Sequence, residues 1–263
     1  MHQENRPDIM NNNIDAGNFF SRQNSVESVN ESDCEKTGLI IEAARAFERI
    51  TSQCVYIIDY FKKEFLYVSS NISRLCGGEA KNIRELGYRY YIDYMPPEDL
   101  KILVEITNKG FKLFNTLSIG ERKDYTMSYD LHIISEGKRQ LVNHKLTPLI
   151  LTKDGRIWLA MCTVSLAAGN KVGNVIMRKS GCEMFYLYSL SHHKWEERKE
   201  AVLTHREREV LTLSTQGYTM AEIADNICKS VDTVKACKRS IFQKLDVRNI
   251  TEAVVYAQNN QLI

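Results

Sequence analysis

The chain has 263 residues, 43% of them hydrophobic and 26% charged, and a formal net charge of only +2. That length suits one or two globular domains, and so small a charge excludes a global field drawing the molecule onto nucleic acid; any such surface has to come from local placement. No apolar run approaches the ~18 residues of a membrane span, and the polar N-terminus lacks an apolar signal core, so no membrane contact and a cytoplasmic location are expected.

Residues 1–38 carry Asn11, Asn12 and Asn13, many Ser and acidic residues, and few large apolar ones. Such a segment cannot offset its ordering entropy by burial and reads as a disordered tail, with at most a short helix near residues 18–20. From 39 to 50, Leu39, Ile40, Ala43, Ala44, Phe47 and Ile50 recur at helical spacing. Two β-like runs follow at 54–60 and 65–69, then short helical pieces punctuated by Gly77-Gly78 and Pro96-Pro97. Pro97-Glu98-Asp99-Leu100 reads as a helix start, with proline in the first turn and acids at the positive end of the dipole; this helix is expected to reach about residue 109.

Alternating runs at 125–134, 139–151 and 156–166 are joined by Glu136-Gly137 and Lys153-Asp154-Gly155, which are hairpin signals. Another hairpin is expected at 174–179 and 183–190, turned at Ser180-Gly181. Residues 39–190 therefore read as one α+β domain around an antiparallel sheet with small helices. The order of elements over roughly 40–166, with the Pro-Glu-Asp-Leu stretch and the Asp-Gly turn, resembles the PAS fold. That resemblance implies a sensor or interaction domain, open to a small-molecule or protein signal. Residues 191–202, rich in charge and short of apolar periodicity, read as a solvated linker.

Residues 203–263 carry the strongest signals. Thr204-His205-Arg206-Glu207 and Thr219-Met220-Ala221-Glu222 are capping boxes, Ser230 is a third cap, and Gly217 suits a left-handed residue after a helix. Four helices result, with Val210, Leu211 and Leu213 inward on the first, and Ile223, Ala224 and Ile227 on the second. Val234, Ile241 and Leu245 point inward on the third, Ala253, Val254 and Ala257 on the fourth. Two short helices joined tightly, the second longer and more basic, make a helix-turn-helix. At about 100° per residue, Asp232, Lys235, Ala236, Arg239 and Gln243 face away from the third helix's apolar stripe. Lys and Arg can donate to guanine or phosphate, and a small Ala236 permits approach to a thymine methyl. Geometry alone leaves an ordinary solvated face equally open.

The segments Leu203–Leu211, Gln216-Gly217, Glu222-Ile223-Ala224, Thr233-Val234-Lys235, Lys244-Leu245 and Asn249–Ala253 closely resemble the LuxR-type helix-turn-helix, with spacing kept over about 202–258. The resemblance implies an all-α four-helix domain whose third helix enters the major groove and whose fourth helps a homodimer form on double-stranded DNA. On that reading Lys235, Ala236 and Arg239 contact bases, Thr204, Thr233, Lys238 and Lys244 contact phosphates, and Val255 and Tyr256 contact a second subunit. Cys237 stands where the family most often has His, and Lys238 where many members have an apolar residue.

Neither the six histidines nor the seven cysteines, the latter forming no CxxC pair, show recognised metal-ligand spacing; His132, His144 and His192-His193 stand apart. Cys76 and Cys162 lie in no flavin motif, and Met127, Trp158 and Met161 read as sheet core. No phosphate loop, nucleophile elbow or carboxylate pair marks an enzyme, and no cofactor is expected. The rival reading is a PAS-mediated protein-interaction module with weak or vestigial DNA binding.

Overall fold

The computed structural model describes residues 14–29, 35–200, 202–260 and 262–263. The chain divides into two compact units, one of residues up to Ser165 with Val172–Glu197, the other of Leu166–Lys171 with Arg198–Ile263.

In the first unit, α1 (Lys36–Ile50) precedes β1 (Cys54–Asp59) and β2 (Glu64–Val68). Short helices α2 (Ser73–Cys76), α3 (Ala80–Leu86) and α4 (Arg89–Tyr94) lead to the long α5 (Pro97–Phe114). Strands β3 (Tyr125–Ser135), β4 (Lys138–Leu151), β5 (Ile157–Leu166), β6 (Gly173–Lys179), β7 (Met184–Ser189) and β8 (Lys194–Lys199) complete it. All eight strands form one sheet, ordered β2-β1-β5-β4-β3-β6-β7-β8. The first five strands in that order, with α2 to α5 over one face and α1 over the other, give the unit a PAS-like architecture.

β1 is buried along its whole length because both its faces are covered. Tyr56 and Ile58 join the main core with Leu103, Ile106 and Phe111 of α5. Ile57 faces the other way, packing with Tyr67 and Leu159 under Ala44 of α1. The β3–β4 hairpin closes with Ser135 opposite Lys138 around Glu136 and Gly137, both at positive φ. Helix α5 runs past residue 109 because Gly110, Phe111 and Phe114 continue its buried stripe. Gly110 belongs inside it: a Cβ there would lie 2.6 Å from Met127 Sδ on β3.

Two expectations require correction. The tail was expected to lack structure over 1–38; residues 1–13 and 30–34 lie outside the described residues, but 14–29 pack on the core of the first unit. Ala16–Phe19 form a 3-10 turn closed by a capping box from Asp15. Phe19, 1% exposed, sits 5.4 Å from the Tyr88 ring and 5.9 Å from that of Tyr91. Asn24 donates to the Phe19 carbonyl, and Arg156 reaches the carbonyls of Arg22 and Ser25. One buried aromatic and a set of side-chain hydrogen bonds to backbone thus order a segment whose average composition is polar. The α1 helix likewise begins at Lys36 rather than 39. The charged linker is in fact mostly β8, an edge strand whose charges face solvent while Trp195 packs 5.0 Å from Tyr188 and donates to the Lys109 carbonyl.

The histidines have structural surroundings. Buried Asp99 accepts the backbone N–H of His132 at 2.6 Å and lies 2.9 Å from its ring Nδ1. His193 Nδ1 meets Glu105 at 2.6 Å, and His192 meets Ser189. Buried His144 stacks on Tyr129 at 5.2 Å, and burial pushes its pKa down to about 4.

Candidate nucleic-acid interface

The second unit is built from α6 (His205–Thr215), α7 (Met220–Asn226), α8 (Val231–Leu245) and α9 (Ile250–Asn259). Each start is locally encoded. Thr204 and Glu207 close one capping box, Thr219 and Glu222 a second, and the Ser230 hydroxyl accepts the Thr233 N–H. Asn249 caps α9 by accepting the Glu252 N–H at 2.9 Å. Gly217, Cys228 and Asp246, all at positive φ, turn the chain after α6, α7 and α8. The inward sets expected from spacing come together: Val210, Leu211, Ile223, Ala224, Val234, Ile241, Leu245, Ala253 and Ala257 form one core, with Leu213, Ile227 and Val254 packed against it.

That core orients α8. With Val234, Ile241 and Leu245 buried, Lys235, Ala236 and Arg239 are exposed on the other side. Lys235 bonds Asp232 at 3.0 Å along the same face. Arg239 makes no ion pair among the described residues, so its guanidinium is available to an external acceptor. Lys238 is half-buried, and that burial lowers its pKa. Its stem lies along the domain edge, as a long aliphatic chain with a charged tip does. The first turn of α6 meets this face in an open groove lined by Thr204, His205, Arg206, Thr233, Ala236 and Ser240.

Several expected contact residues already have partners within the domain. The Lys244 ammonium lies 2.6 Å from Glu207 Oε2 and donates to the Val202 carbonyl at 3.1 Å. The other Glu207 oxygen accepts from Ser240 at 2.6 Å. Burial alone would raise the Glu207 pKa, but Lys244, Ser240 and the Thr204 backbone N–H outweigh it and hold the carboxyl at about 2. Lys244 thus ties α6 to α8 while remaining exposed. Sequence reading identified Glu207 as a cap but missed this second role, because capping is local and the Lys244 pairing depends on tertiary packing. The Thr204 and Thr233 hydroxyls are engaged with Glu207 N and Ser230 Oγ respectively. Val255 and Tyr256 are half-buried on α9, and Tyr256 packs partly against the domain core.

Comparison with known proteins bears on this unit. Residues 201–257 match the family model of bacterial regulatory proteins, luxR family. The transcriptional regulatory protein LiaR of Bacillus subtilis is 43% identical over 61 residues, 23% of this chain and 29% of LiaR. The response regulator VraR of Staphylococcus aureus is 42% identical over 62 residues, 24% of this chain and 30% of VraR. The chain thus spans about a third or less of the length of these relatives. A Vibrio cholerae VqmA dimer covers 84% of this chain at 15% identity, with a TM-score of 0.33, too low to argue a shared arrangement. The matched segment coincides with the capped, singly cored four-helix unit, so the likeness to the luxR family of bacterial regulatory proteins is confined to residues 201–257.

Proposed function

We propose that this chain is a sequence-specific DNA-binding transcription regulator whose helix α8 reads the major groove under the control of its PAS-like unit. The observation that carries the reading is the exposed α8 face. It presents Lys235, small Ala236 and unpaired Arg239 on a helix whose other side is locked into the core. Lys235, Ala236 and Arg239 contact base edges; Thr204, Thr233 and Lys238 lie on the phosphate side. Arg206, which lines the same groove, joins this phosphate-side set. Val255 and Tyr256 meet a second subunit when two half-sites are occupied. Lys244 acts on DNA only indirectly, through its tie to Glu207.

The PAS-like unit encloses a cavity of about 50 Å³ among Phe19, Tyr60, Tyr88, Tyr91, Tyr129 and Met177. Its lining is apolar and aromatic, which favours a small apolar signal. At that size a ligand enters only by displacing a lining side chain, since ligand sites usually hold several hundred Å³.

Selecting bound duplexes from a random pool with the full-length chain tests the reading. A recurrent two-part motif is expected, with binding to it tighter by at least ~10³ than to unselected duplex. Recovery of unenriched sequences, or no retention at all, would leave the interaction-module reading in its place.

A further inference from the structure

Residues 14–29 pack on the first unit without joining its sheet. Their own backbone bonds are short-range: the Asn18 N–H donates to Asp15, that of Phe20 to Gly17 and that of Ser25 to Ser21. Phe19 and Val26 are the fully buried apolar side chains of this strap. Two side chains from elsewhere in the unit hold its backbone. Arg156 donates to the Arg22 carbonyl at 3.0 Å and to the Ser25 carbonyl at 2.8 Å, and Asn115 Nδ2 donates to the Gln23 carbonyl at 2.9 Å. Within the strap, buried Asn24 ties its side-chain amide to the Phe19 carbonyl at 2.7 Å and fixes the turn that sends Phe19 inward. A segment held by a few side-chain bonds opens more readily than one paired into a sheet.

Phe19 is part of the wall of the cavity of about 50 Å³. Withdrawal of the strap adds the space of a benzyl group to that cavity. An apolar cavity of about 150 Å³ stays dry and accepts benzene. None of the lining residues carries a charge; beside the tyrosines stand Ile58, Leu103, Phe111, Phe114, Met127 and Ile157. Burial pushes the hydroxyls of Tyr60, Tyr88, Tyr91 and Tyr129 up, away from ionisation, so the wall stays neutral. A charged group entering there would lose its hydration and find no counter-ion.

We propose that Phe19 is a resident occupant of this cavity, and that the site takes an uncharged single-ring aromatic molecule from solution in its place, releasing residues 14–29. This rests on the reading of the cavity as a signal site, and adds which side chain gives way and the chemistry of what replaces it. Entry and strap release form one equilibrium. The apparent affinity is the intrinsic affinity reduced by the fraction of molecules whose strap is out. Arg156 and Asn115 do not line the cavity. Loosening either one therefore tightens binding of a molecule that neither touches.

Calorimetric titration of the full-length chain with toluene, the free counterpart of the Phe19 side chain, tests this. Arg156→Ala should tighten toluene binding about tenfold and Asn115→Ala about threefold. Phe19→Ala should tighten it about a hundredfold, and Arg156→Ala should add nothing once Phe19 is gone. Benzoate, a similar ring bearing a charge, should bind to none of these chains. In the natural chain, toluene should speed hydrogen exchange of amides 18–25. Toluene affinity indifferent to Arg156→Ala and Asn115→Ala, with exchange unchanged, would overturn the displacement and leave the cavity reading standing, because toluene would then lie beside Phe19. Absence of toluene binding in every chain would overturn both. Benzoate binding as tightly as toluene would overturn the uncharged class.

Discussion

Arg239 and Lys238 are neighbours in sequence but differ in what they can recognise. Arg239 is exposed and unpaired at the middle of the α8 face, with a fork able to bind guanine bidentately. Arg239→Ala should cost about 1–3 kcal/mol on the selected site and relax preference at one base pair, with little loss on random duplex. Lys238→Ala should weaken all sequences alike and reduce the salt slope by roughly one unit per protomer. Titrations of specific and random duplexes across a salt series separate the two. Equal losses on both duplexes for Arg239→Ala would refute a base contact. In the first unit, His144 gives a residue-scale pH effect. Burial lowers its pKa from 6.5 to about 4. The folded state therefore prefers the neutral ring, and its contribution is complete above pH ~6.5 and lost as pH falls through about 4. The loss amounts to at most about 3 kcal/mol. Both tryptophans, Trp158 and Trp195, lie in this unit, so their emission follows its unfolding. Urea melts at pH 7 and pH 4 should show a smaller acid loss for His144→Phe than for the natural chain. Equal acid losses would place the pH sensitivity elsewhere.

At the scale of elements, the second unit is held by a polar tie as well as by its core. Glu207 caps α6 and at once anchors Ser240 and Lys244 of α8. A carboxyl held at about 2 contributes stability that is present above its unfolded value near 4.5 and lost as pH falls toward 2. Glu207→Gln keeps a side chain able to cap but removes the charge facing Lys244. It should cost about 1–2 kcal/mol, read as faster hydrogen exchange of amides 205–245. Lys244→Ala should show the same acceleration, whereas a pure phosphate contact would lower affinity and leave exchange unchanged. The edge strand β8 makes the corresponding point for the first unit: one tryptophan on Tyr188 and Lys109 orders a strand otherwise made of charged residues.

At the scale of the whole molecule, each unit has its own core, and none of the residues of one appears in the core of the other. A fragment of residues 202–263 should therefore be helical and melt cooperatively by itself, though a domain of about 60 residues is only marginally stable. It should retain groove contacts to a half-site and bind the full site more weakly than the intact chain, because it lacks the PAS-like unit. Circular dichroism and titration of half-site and full-site duplexes check this. A fragment matching the intact chain on the full site would show that the first unit adds nothing to binding.

The sequence by itself determined the elements whose signals are local. Capping boxes at Thr204 and Thr219, the Ser230 cap and the apolar spacings of α6 to α9 are read within a few residues. The folded domain accordingly matches the expected helices and inward sets. The same holds for the hairpins turned at Gly137 and Gly155, both at positive φ. Tertiary structure alone decided what depends on partners distant in sequence. Residues 14–29 are ordered because Phe19 finds Tyr88 and Tyr91, some seventy residues away, and β8 because Trp195 reaches Lys109. The exposed Lys244 bends its ammonium onto Glu207 because that carboxylate lies across the packed helices. Helix α1 keeps Leu39 and Ile50 exposed because the sheet has claimed its other face. Local propensity can start and stop a helix, but which face of it stays open is settled by what the rest of the chain packs against it.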